Sequence, residues 1–155
     1  MTASAFPSST IHIPIAIIGT GFAGIGMAIR LQQEGFSEFL LLEQADTFGG
    51  TWRDNVYPGA ECDVPSHLYS FSFEPNPNWS KAFAPQGEIQ RYLLHCAHKH
   101  KLSDKTLFQA QVIAASFDDK AGEWQVDLAD GRVVKTRLLI AGNGGLSQPI
   151  LKLQD

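Results

Sequence analysis

The chain has 155 residues, 44% hydrophobic and 18% charged, with a net charge of −4. That is a globular balance at single-domain length, with enough apolar mass for a core that needs no covalent staples. Its scattered basic residues argue against a nucleic-acid face, its two cysteines against a disulfide framework, and its longest apolar runs are too short to cross a bilayer.

The opening MTASAFPSST has no basic n-region and no cleavage pattern, so residues 1–10 read as a flexible tail of a cytoplasmic, reduced protein. Residues 11–155 show no linker, repeat or low-complexity tract and read as one domain. IHIPIAII, residues 11–18, reads as a buried parallel strand. Residues 22–34 place Ile25, Ala28, Ile29 and Leu31 on one helical face, and Gly35 stops the helix. EFLLLE, residues 38–43, is a second buried strand, which completes a βαβ unit.

A long aromatic stretch follows, GGTWRDNVYPGAECDVPSHLYSFSF, residues 49–73, with neither helical nor strand periodicity. Loops of that length are functional or disordered, and disordered segments are poor in aromatics. Residues 86–102 are helical, with Ile89, Tyr92, Leu93 and Cys96 on one stripe. Residues 107–117 read as one strand, either a third parallel one or the start of a meander. Residues 123–142 form a hairpin about Asp130-Gly131, and residues 138–141 read as a last buried strand. The fold class expected is α/β: a Rossmann-like, doubly wound parallel sheet with a small antiparallel meander.

GTGFAG, residues 19–24, has the G-x-G-x-x-G spacing between a strand and a helix. Gly19 allows the tight turn, Gly21 lets the backbone approach a pyrophosphate, and Gly24 lets helix and strand pack closely. The helix N-terminus supplies N–H groups and partial positive charge. Glu43 stands where the fingerprint expects an acid on ribose hydroxyls, an arrangement that favours FAD or NAD over a 2′-phosphorylated nucleotide. His95, Cys96, His98 and His100 form a short cluster on the second helix, but no matching ligand pair exists elsewhere, so no metal is expected. Gly142, Gly144 and Ser147 mimic a second glycine motif, which Pro149 rules out as a helix start. No G-x-S-x-G is present.

The combination of GTGFAGIGMAIRL, LLEQADTFGGTW, the aromatic stretch and NWSKAFAPQGEIQRYLLHCAHKHKL resembles the class B flavoprotein monooxygenases, the flavin-containing and Baeyer–Villiger enzymes, from Ile15 to Pro149. The resemblance implies FAD as cofactor. Gly19, Gly21, Phe22, Ala23 and Gly24 would hold its pyrophosphate, and Glu43, with Gln44 beside it, the adenosine ribose. Thr51 and Trp52 would lie against the ribityl and flavin region, and Tyr69 on the flavin side. Val112 would read the adenine through its backbone. Ala141 and Gly142 would pass close to the cofactor, with Asn143 where the family carries threonine. Asp63 would be the catalytic-pocket residue beside the isoalloxazine; read from the residues alone, it serves equally well as a turn-capping aspartate. For Tyr57, Phe71 and Phe73, core packing beneath the loop is the preferred reading over flavin contact.

The resemblance further implies an NADPH-dependent monooxygenase that oxygenates a ketone or heteroatom of a small molecule through a C4a-peroxyflavin. The family's F-x-G-x-x-x-H fingerprint and its NADPH-binding half are not in this sequence. The alternative is therefore a truncated or vestigial, non-catalytic flavin- or dinucleotide-binding module. An unfinished sheet would then promote self-association or binding of a partner chain.

Overall fold

The computed structural model describes residues 10–145. Strand β1 (Thr10–Ile18) leads through a glycine turn into helix α1 (Phe22–Gln33) and strand β2 (Phe39–Leu42). A one-turn helix α2 (Thr51–Asp54) opens the aromatic stretch, which continues through a 3₁₀ turn at Ser66–Leu68. Helix α3 (Gln86–Lys99), a 3₁₀ turn (Leu102–Lys105), and strands β3 (Thr106–Leu107), β4 (Val112–Asp118), β5 (Glu123–Leu128) and β6 (Val133–Ala141) complete the chain. The strands form a single six-stranded sheet in the order β3-β2-β1-β6-β5-β4. Its β3-β2-β1-β6 portion is parallel, and β4-β5-β6 is an antiparallel meander. The α/β class, the parallel core and the meander agree with the pattern of the sequence.

Side chains alternate across a strand, so β1 serves two cores. Ile15 and Ile17 meet Ile25, Ala28 and Ile29 of α1 and Leu93 and Cys96 of α3 on one face. Ala16 meets Leu42, Val126, Leu128 and Val134 on the other. The meander thus covers the face that the helices leave bare. Helix α1 ends at the expected glycine: Gly35 has φ +86°, and its N–H donates to Gln32 O while that of Phe36 donates to Leu31 O, at 3.1 and 2.8 Å. This paired bonding is a Schellman cap.

Four readings need correction. Thr10, assigned to the tail, pairs with Val133 and begins β1; residues 1–9 lie outside the described residues, as do Ser147 and Pro149 of the discarded glycine motif. The helix expected over residues 86–102 stops at Lys99, because Lys101 adopts a left-handed φ of +52°. Residues 107–117 are not one strand. Gln109, also at φ +52°, breaks them into the parallel β3 and the antiparallel β4, while Gln109 N–H and Ala110 N–H donate to Ala45 O and Glu43 O. The last strand is not buried along its length: Leu138 is 59% exposed. Strand β5 pairs only with the first half of β6, at Val133 to Thr136. Among the described residues no strand pairs with residues 137–141 on the side away from β1.

Candidate functional site

The C-terminal ends of β1, β2 and β6 converge on a cleft of about 770 Å³, within the range of pockets that hold cofactors. Its floor is the turn after β1. Gly19 has φ +91° and sits under β6, where a Cβ would stand 2.7 Å from Gly142 O. Gly142 N–H donates back to Ile18 O and Gly19 N–H to Leu42 O, each at 2.8 Å, so the turn is stitched to both neighbouring strands. Helix α1 then starts at Phe22 behind Gly21, with no capping side chain and no acidic residue in its first turn. Its positive end therefore faces the cleft uncompensated. A glycine floor and a bare helix N-terminus fit the phosphates of a dinucleotide.

Glu43 closes one side. It is 3% exposed and accepts four hydrogen bonds. Oε2 takes the N–H and hydroxyl of Thr20 at 3.0 and 2.6 Å. Oε1 takes Ala45 N–H at 2.9 Å and Arg53 Nη1 at 3.0 Å. Arg53 sits in α2 and also donates to Thr47 O and to both carboxylate oxygens of Asp54. Burial would lower the Arg53 pKa; its bonds to Asp54 and the field of Glu43 outweigh burial and hold it above its ordinary value.

The second glycine turn, Gly49-Gly50, faces the first. Gly49 N–H donates to Thr20 O at 3.0 Å. From below, Gln90 of α3 donates to Phe48 O at 2.8 Å and Gln86 donates to Trp52 O. Trp52, thus supported, donates its indole N–H to Tyr69 OH at 3.1 Å. Tyr69 stacks edge-on against Trp52 and Phe22, at 5.4 and 5.0 Å between ring centres. These rings make the aromatic wall. Burial pushes the Tyr69 phenol up, Trp52 opposes it, and the charges of Cys62 and Asp63 add to the rise.

Of the residues expected at the site, Gly19, Gly21, Phe22 and Ala23 line the cleft floor, and Glu43, Gln44, Thr51 and Trp52 its side. Tyr69, Val112 and Gly142 also line it. Gly24 is buried just beneath, and Ala141 is exposed and outside the lining. Asp63 is exposed on the loop and does not line the cleft; it reaches the aromatic wall through its field on Tyr69. Phe71 and Phe73 stack at 5.0 Å against the α3 core, away from the lining, while Tyr57 is 64% exposed. Cys96 points into the core and His95 and His98 outward. Among the described residues no three His, Cys, Asp or Glu side chains gather as a metal site.

Sequence reading missed Thr20, Arg53, Ala110 and Gln111, all of which line the cleft. Thr20 sits inside the glycine motif as an anonymous x. Arg53 was signalled as a lone cation between Trp52 and Asp54 in an otherwise aromatic and glycine-rich stretch. Ala110 and Gln111 were hidden by reading residues 107–117 as continuous strand.

Fold and cleft together define a Rossmann-like dinucleotide-binding architecture, and residues 17–85 match the family described as NAD(P)-binding Rossmann-like domain. A Baeyer–Villiger monooxygenase of Pseudomonas aeruginosa is 46% identical over 149 residues, 96% of this chain and 28% of that protein. The solved structure of an oxidized steroid monooxygenase bound to NADP superposes with a TM-score of 0.83 at 34% identity, covering 93% of this chain and 28% of the other. That of OTEMO in complex with FAD and NADP gives 0.81 at 33%, covering 90% and 28%. The chain is thus related, over nearly all its length, to the Baeyer–Villiger flavin monooxygenases, and spans little more than a quarter of the length of these relatives.

Proposed function

We propose that this chain is the FAD-holding part of an NADPH-dependent Baeyer–Villiger-type monooxygenase, a single cofactor-binding unit over residues 11–155. The observation that carries the reading is the convergence of the glycine floor, the β2 carboxylate and the aromatic wall on one cleft at the ends of parallel strands, where such folds bind ligands. Gly19, Gly21, Phe22, Ala23 and Gly24 would form the pyrophosphate turn, and Glu43 and Gln44 the ribose end. Val112 would meet the adenine, Thr51, Trp52 and Tyr69 the ribityl and flavin end, and Gly142, with Ala141 just outside the lining, would pass close to the cofactor. When bound, the flavin supplies hydride acceptance from NADPH and oxygen chemistry toward a ketone or heteroatom of a small molecule. The chain's own residues bind and orient it: Trp52 and Tyr69 exclude water on one side, and Asp63 on the nearby loop acts on that wall only through its field on the Tyr69 phenol, which burial chiefly raises. A cytoplasmic setting accords with two buried free thiols, and no helix among the described residues is long and apolar enough to cross a membrane.

The test is reconstitution. Purified chain incubated with FAD and desalted should retain yellow flavin absorption in near-stoichiometric amount. Folded protein that emerges colourless would refute the reading.

The second reading is a flavin-binding module without turnover of its own. It expects FAD binding but no bleaching of the flavin on anaerobic addition of NADPH, whereas bleaching by the chain alone excludes it. The open side of β6 at residues 137–141 would then seat a partner strand or a second copy, visible as a concentration-dependent mass by light scattering.

A further inference from the structure

Glu43 accepts as many hydrogen bonds as a carboxylate has lone-pair positions. Three of its donors, Thr20 N–H, Thr20 hydroxyl and Ala45 N–H, are neutral. The fourth, Arg53, is a cation at 3.0 Å whose side chain is 14% exposed. Four of the five guanidinium N–H groups are engaged: two by Asp54, one by Glu43 and one by Thr47 O. The guanidinium is therefore fixed in the cleft wall, and Arg53 is always charged.

Charge at this end of a dinucleotide site decides whether a 2′-phosphate is admitted, because a bare acid facing the ribose repels it. Here the acid is not bare. Glu43 and Asp54 are both bonded to the one guanidinium of Arg53, so two anions share one cation. Both Glu43 and Arg53 line the cleft, so an entering nucleotide meets the field of the pair. Removing the cation would leave a desolvated anion in the wall with its full repulsive field. At roughly 6–12 Å and an effective dielectric constant near 20, one unit charge is worth roughly ten- to a hundredfold in affinity.

We propose that Arg53 is a specificity-determining residue of the ribose end of the cleft: through its ion pair with Glu43 it both positions that carboxylate and sets how strongly the site rejects a 2′-phosphorylated nucleotide. The inference rests on the dinucleotide reading above. The site is then selective by a tempered charge, and the degree of selectivity resides in α2 rather than in the glycine motif.

The experiment compares a matched pair of probes, ADP-ribose and 2′-phospho-ADP-ribose, by isothermal titration against the full chain and the variants R53Q, R53K and E43Q. The wild type should prefer ADP-ribose. R53Q should widen that preference about tenfold, R53K should stay within about threefold of wild type, and E43Q should bring the ratio toward one. If R53Q weakens both probes equally and leaves the ratio unchanged, Arg53 only braces the fold and the proposal is overturned. Should R53Q fail to fold, E43Q decides: a ratio that survives loss of the Glu43 charge also overturns it. A wild-type chain that binds FAD with no ratio change in any variant refutes this inference alone. A wild-type chain that binds neither probe nor FAD refutes the dinucleotide reading and this inference with it.

Discussion

Gly24 and Gly87 both lie in helices, in α1 and α3, and replacing each by alanine should have opposite effects. Alanine is intrinsically the better helix former by about 1 kcal/mol. At Gly87 a new Cβ would meet only the Arg91 Nη1 at 3.5 Å, an ordinary contact with a movable side chain, so G87A should stabilise by a few tenths to about 1 kcal/mol. At Gly24 the Cβ would stand 1.9 Å from Gly19 O and 2.9 Å from Gly19 C. Carbon and oxygen atoms rest at roughly 3.5 Å, so helix and turn must part by more than an ångström. No rotamer can absorb that, since both partners are backbone. Overpacking typically costs about 1–3 kcal/mol, and this case belongs at or above the top. For a chain of this size about 3 kcal/mol lowers Tm by roughly 6–12 °C. The displaced turn is also the floor of the cleft, so FAD affinity should fall more than stability does. Circular-dichroism melting of wild type, G24A and G87A, with FAD titration of each, measures both effects. A G24A protein that melts with the wild type would refute the close-packing argument, and one that melts normally but still binds FAD would remove Gly24 from the site.

Tyr92 OH donates to Glu74 O at 2.7 Å and accepts Phe71 N–H at 2.8 Å, so Y92F strands two backbone groups; a loss of about 1–3 kcal/mol, with weakened near-ultraviolet dichroism, is expected in urea melts. Burial raises the Tyr92, Tyr69 and Cys96 pKa values in the fold. A raised acid group is stabilising below its unfolded pKa and loses that contribution as pH climbs, so stability should decline from about pH 9 upward, and Y92F should flatten the alkaline limb. Glu74 shows the reverse: its hydrogen bond from Lys99 holds it below 4.5 against the pull of burial, with the Lys99 charge and His100 adding to that lowering. Its stabilisation is present at neutral pH and lost as pH falls below that value, so E74Q should show a shallower acid limb in pH-dependent melts, and an unchanged limb would remove Glu74 from the account.

Much of this protein follows from short-range physics written along the chain. The glycine spacing after an Ile-rich run, the helical stripe of α1, the glycine that must take positive φ to end it, and the Asp130-Gly131 turn are each settled by a few neighbouring residues. They brought the α/β class, the glycine turn and Glu43 into view together. What they could not convey is what stands across from what. The arginine beside Glu43 is ten residues away, in a one-turn helix with no periodic signature, and the pair exists only because β2, the second glycine turn and α3 fold back on one another. The break at Gln109 is dictated by hydrogen bonds to the end of β2, a partner remote in sequence. Leu138 looks as buried as Ile17 when only the apolar run is considered, yet Ile17 lies between two strands, whereas among the described residues no strand lies along residues 137–141 on the side away from β1. Local sterics select the elements; charge pairing, strand breaks and exposure depend on long-range contacts that no window of the sequence contains.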